Sequence, residues 1–331
     1  MNEPVSALRC LFPDVPVAEF VASYYPNRPL VRHGPLARFG ALAEDPLFLD
    51  PRALIERSPT AESLVYVTLP GDRRCQSIVP KTTALQLFDE GMSVDSGSLH
   101  LSVPLLGEWV SSMRGDLGLP RPQLLCDAIL SPAGHGVPKH FDGVETLTVQ
   151  LAGRKAWKIA PNREVELPDT SCFPSLKENR RDGQRPVPPS FPKRFAPEMP
   201  ADAEALILEP GSAVFLPRGY WHETLALEPC ISLSFVIMTP DIGRLVSSAV
   251  ARHLQDFPRW RAPVPLGSNE QRAAARGVVA ERLAELAARI AELRPEDVLP
   301  AFEDPTQLFG AVLAAFKDQL KAPAVADDPD R

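Results

Sequence analysis

The chain has 331 residues, 44% of them hydrophobic, enough for a sizeable core in one large domain or two modest ones. Its net charge of −7 argues against direct nucleic-acid binding. Its five scattered cysteines (Cys10, Cys75, Cys126, Cys172, Cys230), without a C-x-x-C pair, argue against a disulfide scaffold or zinc ribbon and for a reducing cytoplasm.

Thirty-seven prolines disfavour an all-helical protein and suit short strands joined by turns. The opening MNEPVSALRCLF lacks a basic region followed by a long apolar stretch, so no secretory signal is expected. The run FVIM is far too short to span a bilayer, so no membrane segment is expected either. Residues 1–95 read as a mixed flank of helix, strand and loop. In it PVAEFVASYYPNRPLVRHG predicts a short amphipathic helix, a Pro-marked turn and a strand, and TALQLFDEG a second short helix. Residues 96–240 read as the main domain. From about residue 122 the pattern turns to period two, and PQLLCDAILSP, GVPKHFD, ETLTVQLAG and RKAWKIAP predict strands. EALILEP, SAVFLPRG, WHETLAL and CISLSFVIM predict four more. Short strands with tight turns suit a sandwich or barrel, with a jelly roll as one way to close them.

Between the two strand groups lies an insertion, residues 161–204. It holds nine prolines and a basic cluster of Lys177, Arg180, Arg181, Arg185, Lys193 and Arg194 against Glu178 and Asp182. A solvated loop and a lid that meets an anionic or polar partner are both open readings. Residues 241–320 read as helical. SNEQ (268–271) has the form of a capping box, and Val279, Leu283, Leu286, Ile290 and Leu293 follow as a narrow apolar seam that Pro295 ends. DPTQLFGAVLAAFKDQL predicts a further helix. These helices pack either on their own domain or against those of a second copy. Residues 321–331 are expected to be a disordered tail.

His140 and Asp142 are two apart. On an extended segment both point to one face, as two ligands of one metal would. His-x-Asp alone is a weak signal, and a satisfied polar pair would look the same. His222, after the Pro-Arg-Gly turn of EPGSAVFLPRGYWHET, offers a third ligand from a distant strand. Two histidines and one carboxylate on one face of an octahedral ion leave three positions open, which suits non-haem Fe(II) rather than a closed zinc site. In GRKAWKIAP, alternation puts Lys155, Trp157 and Ile159 on one face, which reads as the interior. Such a lysine either snorkels to water or meets an anion. His135, although near in sequence, reads as a loop residue.

KHFDGVETLTVQLAGRKAW together with LEPGSAVFLPRGYWHET resembles the JmjC/cupin-like Fe(II)- and 2-oxoglutarate-dependent oxygenases, most of all their bacterial ribosomal-oxygenase branch. The His-x-Asp, Gln150, Gly153, Trp157, the basic residue at 155 and the PGxxxxLPRGxxH run carry the likeness, best over residues 120–237. The winged-helix region of the ribosomal branch has no recognisable counterpart in residues 240–331. The resemblance implies a mostly β fold with helical flanks: a double-stranded β-helix core followed by a C-terminal α-helical region. It implies iron at His140, Asp142 and His222, and the distal carboxylate of 2-oxoglutarate at Lys155, where an arginine often stands in the ribosomal branch. Thr148 and Ser234, with Thr146 and Ser232, are further candidates for hydrogen bonds to that co-substrate. The implied reaction consumes 2-oxoglutarate and O2 and hydroxylates a C–H bond of a protein or peptide, a ribosomal protein among them. A small-molecule or carrier-bound substrate is the alternative, and a non-catalytic metal-binding sensor is the second. A homodimer through the C-terminal helices accompanies the first reading.

Overall fold

Alternation of residues along the strands decides how this molecule is layered. A computed structural model describes residues 6–69, 73–119, 123–174, 191 and 195–299, the side chains of 69 and 73–75 excepted. The protein divides into two compact units, Met1–Thr239 and Pro240–Arg331. The first unit opens with the helices α1 (Ala7–Leu11) and α2 (Val17–Ser23), strand β1 (Leu30–Arg32), and helices α3 (Ala41–Glu44) and α4 (Pro51–Arg57). Strands β2 (Glu62–Leu69) and β3 (Arg73–Pro80), helix α5 (Lys81–Asp89), strand β4 (Ser93–Ser96) and helix α6 (Pro104–Leu117) follow. Then come β5 (Leu124–Ser131), β6 (Glu145–Ala152), β7 (Lys155–Ala160), β8 (Glu204–Leu208), β9 (Ala213–Leu216), β10 (Trp221–Ala226) and β11 (Cys230–Ile237).

The strands form two antiparallel sheets. The larger runs β1-β9-β6-β11-β5-β4-β2-β3 and the smaller β10-β7-β8. This is the expected double-stranded β-helix with helical flanks. In the large sheet, Cys126, Ala128 and Leu130 of β5, Leu147 and Val149 of β6, and Leu233 and Phe235 of β11 join one core with Phe12, Phe20, Leu54, Leu106 and Met113 of the helical flank. Full burial of a Leu, Val, Phe or Met in such a core is worth ~1.5–3 kcal/mol. The alternate residues face the other way and are polar on the central strands: Thr146 and Thr148 of β6, and Ser232 and Ser234 of β11.

Two sequence expectations change. The flank expected to mix helix, strand and loop supplies β2, β3 and the start of β4, three strands not singled out in the sequence, and these widen the main sheet. GVPKHFD does not form a regular strand. It follows β10 in antiparallel fashion through the isolated bridge His140–His222, and on its other side Phe141 bridges Cys172 of the insertion. Pro138 has no amide hydrogen to give, so the ladder is interrupted there.

In the second unit, α7 (Ile242–Gln255), α8 (Asn269–Ile290) and α9 (Pro295–Val298) are helical. Ser268 and Gln271 form the expected capping box at the start of α8. That helix ends at Ile290, short of Leu293, and Pro295 opens α9 instead. The helix expected over 304–320, the tail 321–331 and the basic cluster at 177–194 lie outside the described residues. No helix among the described residues is long and apolar enough to cross a membrane.

Candidate metal centre

The small sheet and the segment beside it hold the three expected ligands. His222 lies on β10, opposite Ile159 of β7. The segment before β6 runs along the free edge of β10. Thr224 N donates to Val137 O at 2.9 Å, and His140 and His222 exchange backbone bonds of 2.9 and 2.8 Å. Beyond them Gly219 N donates to Asp142 O at 2.9 Å, closing the Pro-Arg-Gly turn onto the same segment. Residues 140 and 142 therefore meet residue 222 through backbone pairing, before any metal is considered.

His140 Nε2 lies 3.7 Å from Asp142 Oδ2, and His222 Nε2 lies 3.5 Å from the same oxygen. All three donor atoms fall within 4.8 Å of one another. Both Nδ1 atoms are engaged by backbone carbonyls, Pro138 O at 2.8 Å and Tyr220 O at 3.0 Å. A carbonyl only accepts, so Nδ1 carries the hydrogen and the Nε2 lone pair points into the cluster. Burial, and then the neighbouring His222, push the His140 pKa down to about 3, so the ring is neutral near pH 7. Each imidazole is backed by an aromatic ring. Phe173 stacks on His140 with centroids 4.3 Å apart, and Trp157 on His222 at 5.9 Å. A neutral, oriented pair of imidazoles beside a carboxylate fits a divalent first-row ion with open positions.

The triad opens on a cavity of about 320 Å³ between the two sheets. Thr146, Thr148, Ser232 and Ser234 from the large sheet line it, as do Lys155 and Trp157 from β7. Lys155 is only 1% exposed, so the interior face expected for it is the observed one and snorkelling is excluded. Among the described residues no carboxylate pairs with it. Its ammonium donates to Ser232 Oγ at 3.4 Å. That hydroxyl in turn donates to Gln150 Oε1 at 2.7 Å, and the Gln150 amide is held by the Ala152 and Gly153 carbonyls at 2.7 and 3.0 Å. Burial lowers the Lys155 pKa to about 8, with Cys230 opposing. A buried cation whose nearest partner is a hydroxyl fits an incoming carboxylate. His135 is not part of the ligand cluster.

Sequence reasoning missed Ser171, Phe173 and Lys139. Ser171 Oγ donates to Asp142 Oδ1 at 3.0 Å. Lys139, 3% exposed, donates to the carbonyls of Ala196 and Glu198 at 2.8 Å each and lies 4.0 Å from the centroid of the Trp221 ring. The only hint in the sequence was TSCF, a short β-prone run inside a proline-rich insertion.

Residues 123–245 match the family model described as a JmjC domain. The Bacillus subtilis (strain 168) protein YxbC, itself uncharacterized, is 28% identical over 270 residues, which cover 77% of this protein and 78% of that one. Lysine-specific demethylase 8 of Xenopus tropicalis is 26% identical over 152 residues, 42% of this protein and 33% of its own length. The match thus spans a third of the demethylase. Among solved structures, the Escherichia coli ribosomal oxygenase YcfD superposes with a TM-score of 0.52 at 17% identity, over 85% of this protein and 68% of that one. A structure of the same oxygenase in complex with cobalt and 2-oxoglutarate gives 0.50 at 17% identity, over 90% and 77%. At that identity the likeness speaks for the fold.

Proposed function

We propose that this JmjC-domain protein is a 2-oxoglutarate-dependent non-haem iron oxygenase, and that it hydroxylates a C–H bond in an amino-acid side group of a protein or peptide. One observation carries the reading. His140, Asp142 and His222 converge, with the imidazole hydrogens turned away, in the same cavity as a buried lysine that has no anionic partner among the described residues. A divalent ion answers the first feature and a dicarboxylate the second.

In this reading His140, Asp142 and His222 hold the iron and Lys155 holds the far carboxylate of 2-oxoglutarate. Thr148 and Ser234, on neighbouring strands at one level of the sheet, offer hydroxyls along the co-substrate. Bound iron and 2-oxoglutarate supply the oxidising chemistry: 2-oxoglutarate, O2 and R–H become succinate, CO2 and R–OH. The protein's own task is to orient and to exclude water, and Phe173 and Trp157 wall the imidazoles for that purpose. No residue has to act as an acid or a base.

The structures named above support a macromolecular substrate, and a ribosomal protein is the first to test. A small molecule is the second reading, favoured by a cavity of about 320 Å³, within the range of small-molecule sites. A cytoplasmic location belongs to the same proposal. So does a homodimer through α8, whose seam residues Val279, Leu283 and Ile290 are exposed.

Anaerobic titration with Fe(II) and then 2-oxoglutarate tests the site. Binding of both, with loss of iron in His140→Ala, is the expected result. Absence of binding to the unaltered protein overturns the oxygenase reading. Succinate release in air separates an enzyme from a metal-binding sensor. Mass spectrometry of a host extract, for a gain of one oxygen atom in the protein or the small-molecule fraction, separates the two substrate classes.

A further inference from the structure

The insertion between the two strand groups returns to the metal centre through the stretch Asp169–Phe173. Cys172 and Phe141 exchange both backbone bonds, at 3.1 and 2.9 Å. This register sets Ser171 and Phe173 beside Asp142 and His140. The Ser171 hydroxyl donates to Asp142 Oδ1 at 3.0 Å and accepts the Gly143 N–H at 3.2 Å. Both partners fix that assignment, because an ionised carboxylate only accepts and an amide only donates. Gly143 is needed for the approach. A Cβ there would collide with the backbone of Asp169 and Thr170.

One oxygen of Asp142 is therefore taken. The other, Oδ2, is the one that stands 3.7 and 3.5 Å from the two imidazole Nε2 atoms. The distinction matters chemically. A carboxylate free to turn can chelate an ion through both oxygens, and the second oxygen then occupies one of the three positions that the co-substrate and O2 need. A carboxylate with one oxygen tied binds through the other alone.

We infer that Ser171 is a positioning residue that holds Asp142 to one-oxygen metal binding, which makes the strap 169–173 a working part of the metal centre. The inference rests on the metal reading given above and extends it to a segment to which the sequence assigned no chemistry.

Cobalt(II) is the probe, added anaerobically to the full-length protein. Ser171→Ala is expected to bind cobalt ~10-fold more weakly, the lower end of what loss of an outer-shell partner costs. Its visible absorption band should shift, because the ligand count at the ion changes. Ser171→Thr, which keeps the hydroxyl, should restore both. Gly143→Ala, which displaces the strap without altering the Ser171 side chain itself, should reproduce the loss. Thermal midpoints of the metal-free variants, expected to stay close to that of the parent, check that the fold is kept. If Ser171→Ala binds cobalt with the unaltered affinity and spectrum while the parent protein binds normally, this inference alone is overturned. If the parent protein takes up no cobalt, the metal reading fails and takes the inference with it.

Discussion

Lys155 sets two demands against each other. Without a co-substrate it is a cation in a dry place, and burial has lowered its pKa from 10.5 to about 8. Lys155→Met is expected to stabilise the ligand-free protein near pH 7, because it removes a buried charge whose desolvation nothing anionic among the described residues offsets. The same change should abolish 2-oxoglutarate binding, read by calorimetry on the iron-loaded protein. The pH dependence follows from the direction of the shift. Between about pH 8 and 10.5 the unfolded state binds the lysine proton and the folded state does not. Stability from this group therefore rises with pH across that window and is flat below it. Urea unfolding at pH 7 and pH 10 should show the gain in the parent and not in Lys155→Met. Co-substrate affinity should move the opposite way, falling above about pH 8 as the free protein loses the charge that a carboxylate needs.

At the scale of elements, what could be read in advance followed locality. Strands β5 to β11 showed as period two, and His140 with Asp142 as an i, i+2 pair, because each signal lies within one short run. Lys155 showed for the same reason, as one face of an alternating strand. Strand β3 stayed hidden because it is a sheet edge, and RRCQSIVP carries the charge and proline that edges tolerate. Ser171 stayed hidden because its place depends on a bridge from Phe141 to Cys172, residues far apart in sequence, and no periodicity announces such a pairing. The turn between β6 and β7 offers a test at this scale. Gly153 has φ +68°, and a Cβ there would collide with the Pro229 carbonyl. Gly153→Ala is expected to cost more than ~1 kcal/mol, measured by denaturant midpoint, through strain and the forced opening of that contact. Co-substrate affinity should fall with it, because the Gly153 carbonyl orients Gln150 and, through Ser232, Lys155.

Across the whole molecule, the described residues of the two units differ in how much they bury. Among the described residues, the buried clusters lie in the first unit. Among the described residues of the second, only Ala249 and Ala275 are buried, and Leu283 is 61% exposed on α8. The exposed seam residues Val279, Leu283 and Ile290 of α8 are the observation behind the proposed second copy. Leu283→Glu is expected to halve the solution mass by light scattering while cobalt uptake by the first unit stays the same. An unchanged mass for the parent protein at the monomer value would count against the pairing.

The edge strand β1 carries a consequence for how the protein is made. Leu30 is hydrogen-bonded at the level of Phe215, and Phe20 packs against that same ring at 5.2 Å. During synthesis the early helices therefore leave the ribosome long before the strand that completes their core. Until β9 emerges, their apolar faces lack the strand that covers them in the folded protein. Folding of the first unit is thus a late event of translation, governed by the slow closing of distant contacts rather than by the fast formation of its helices.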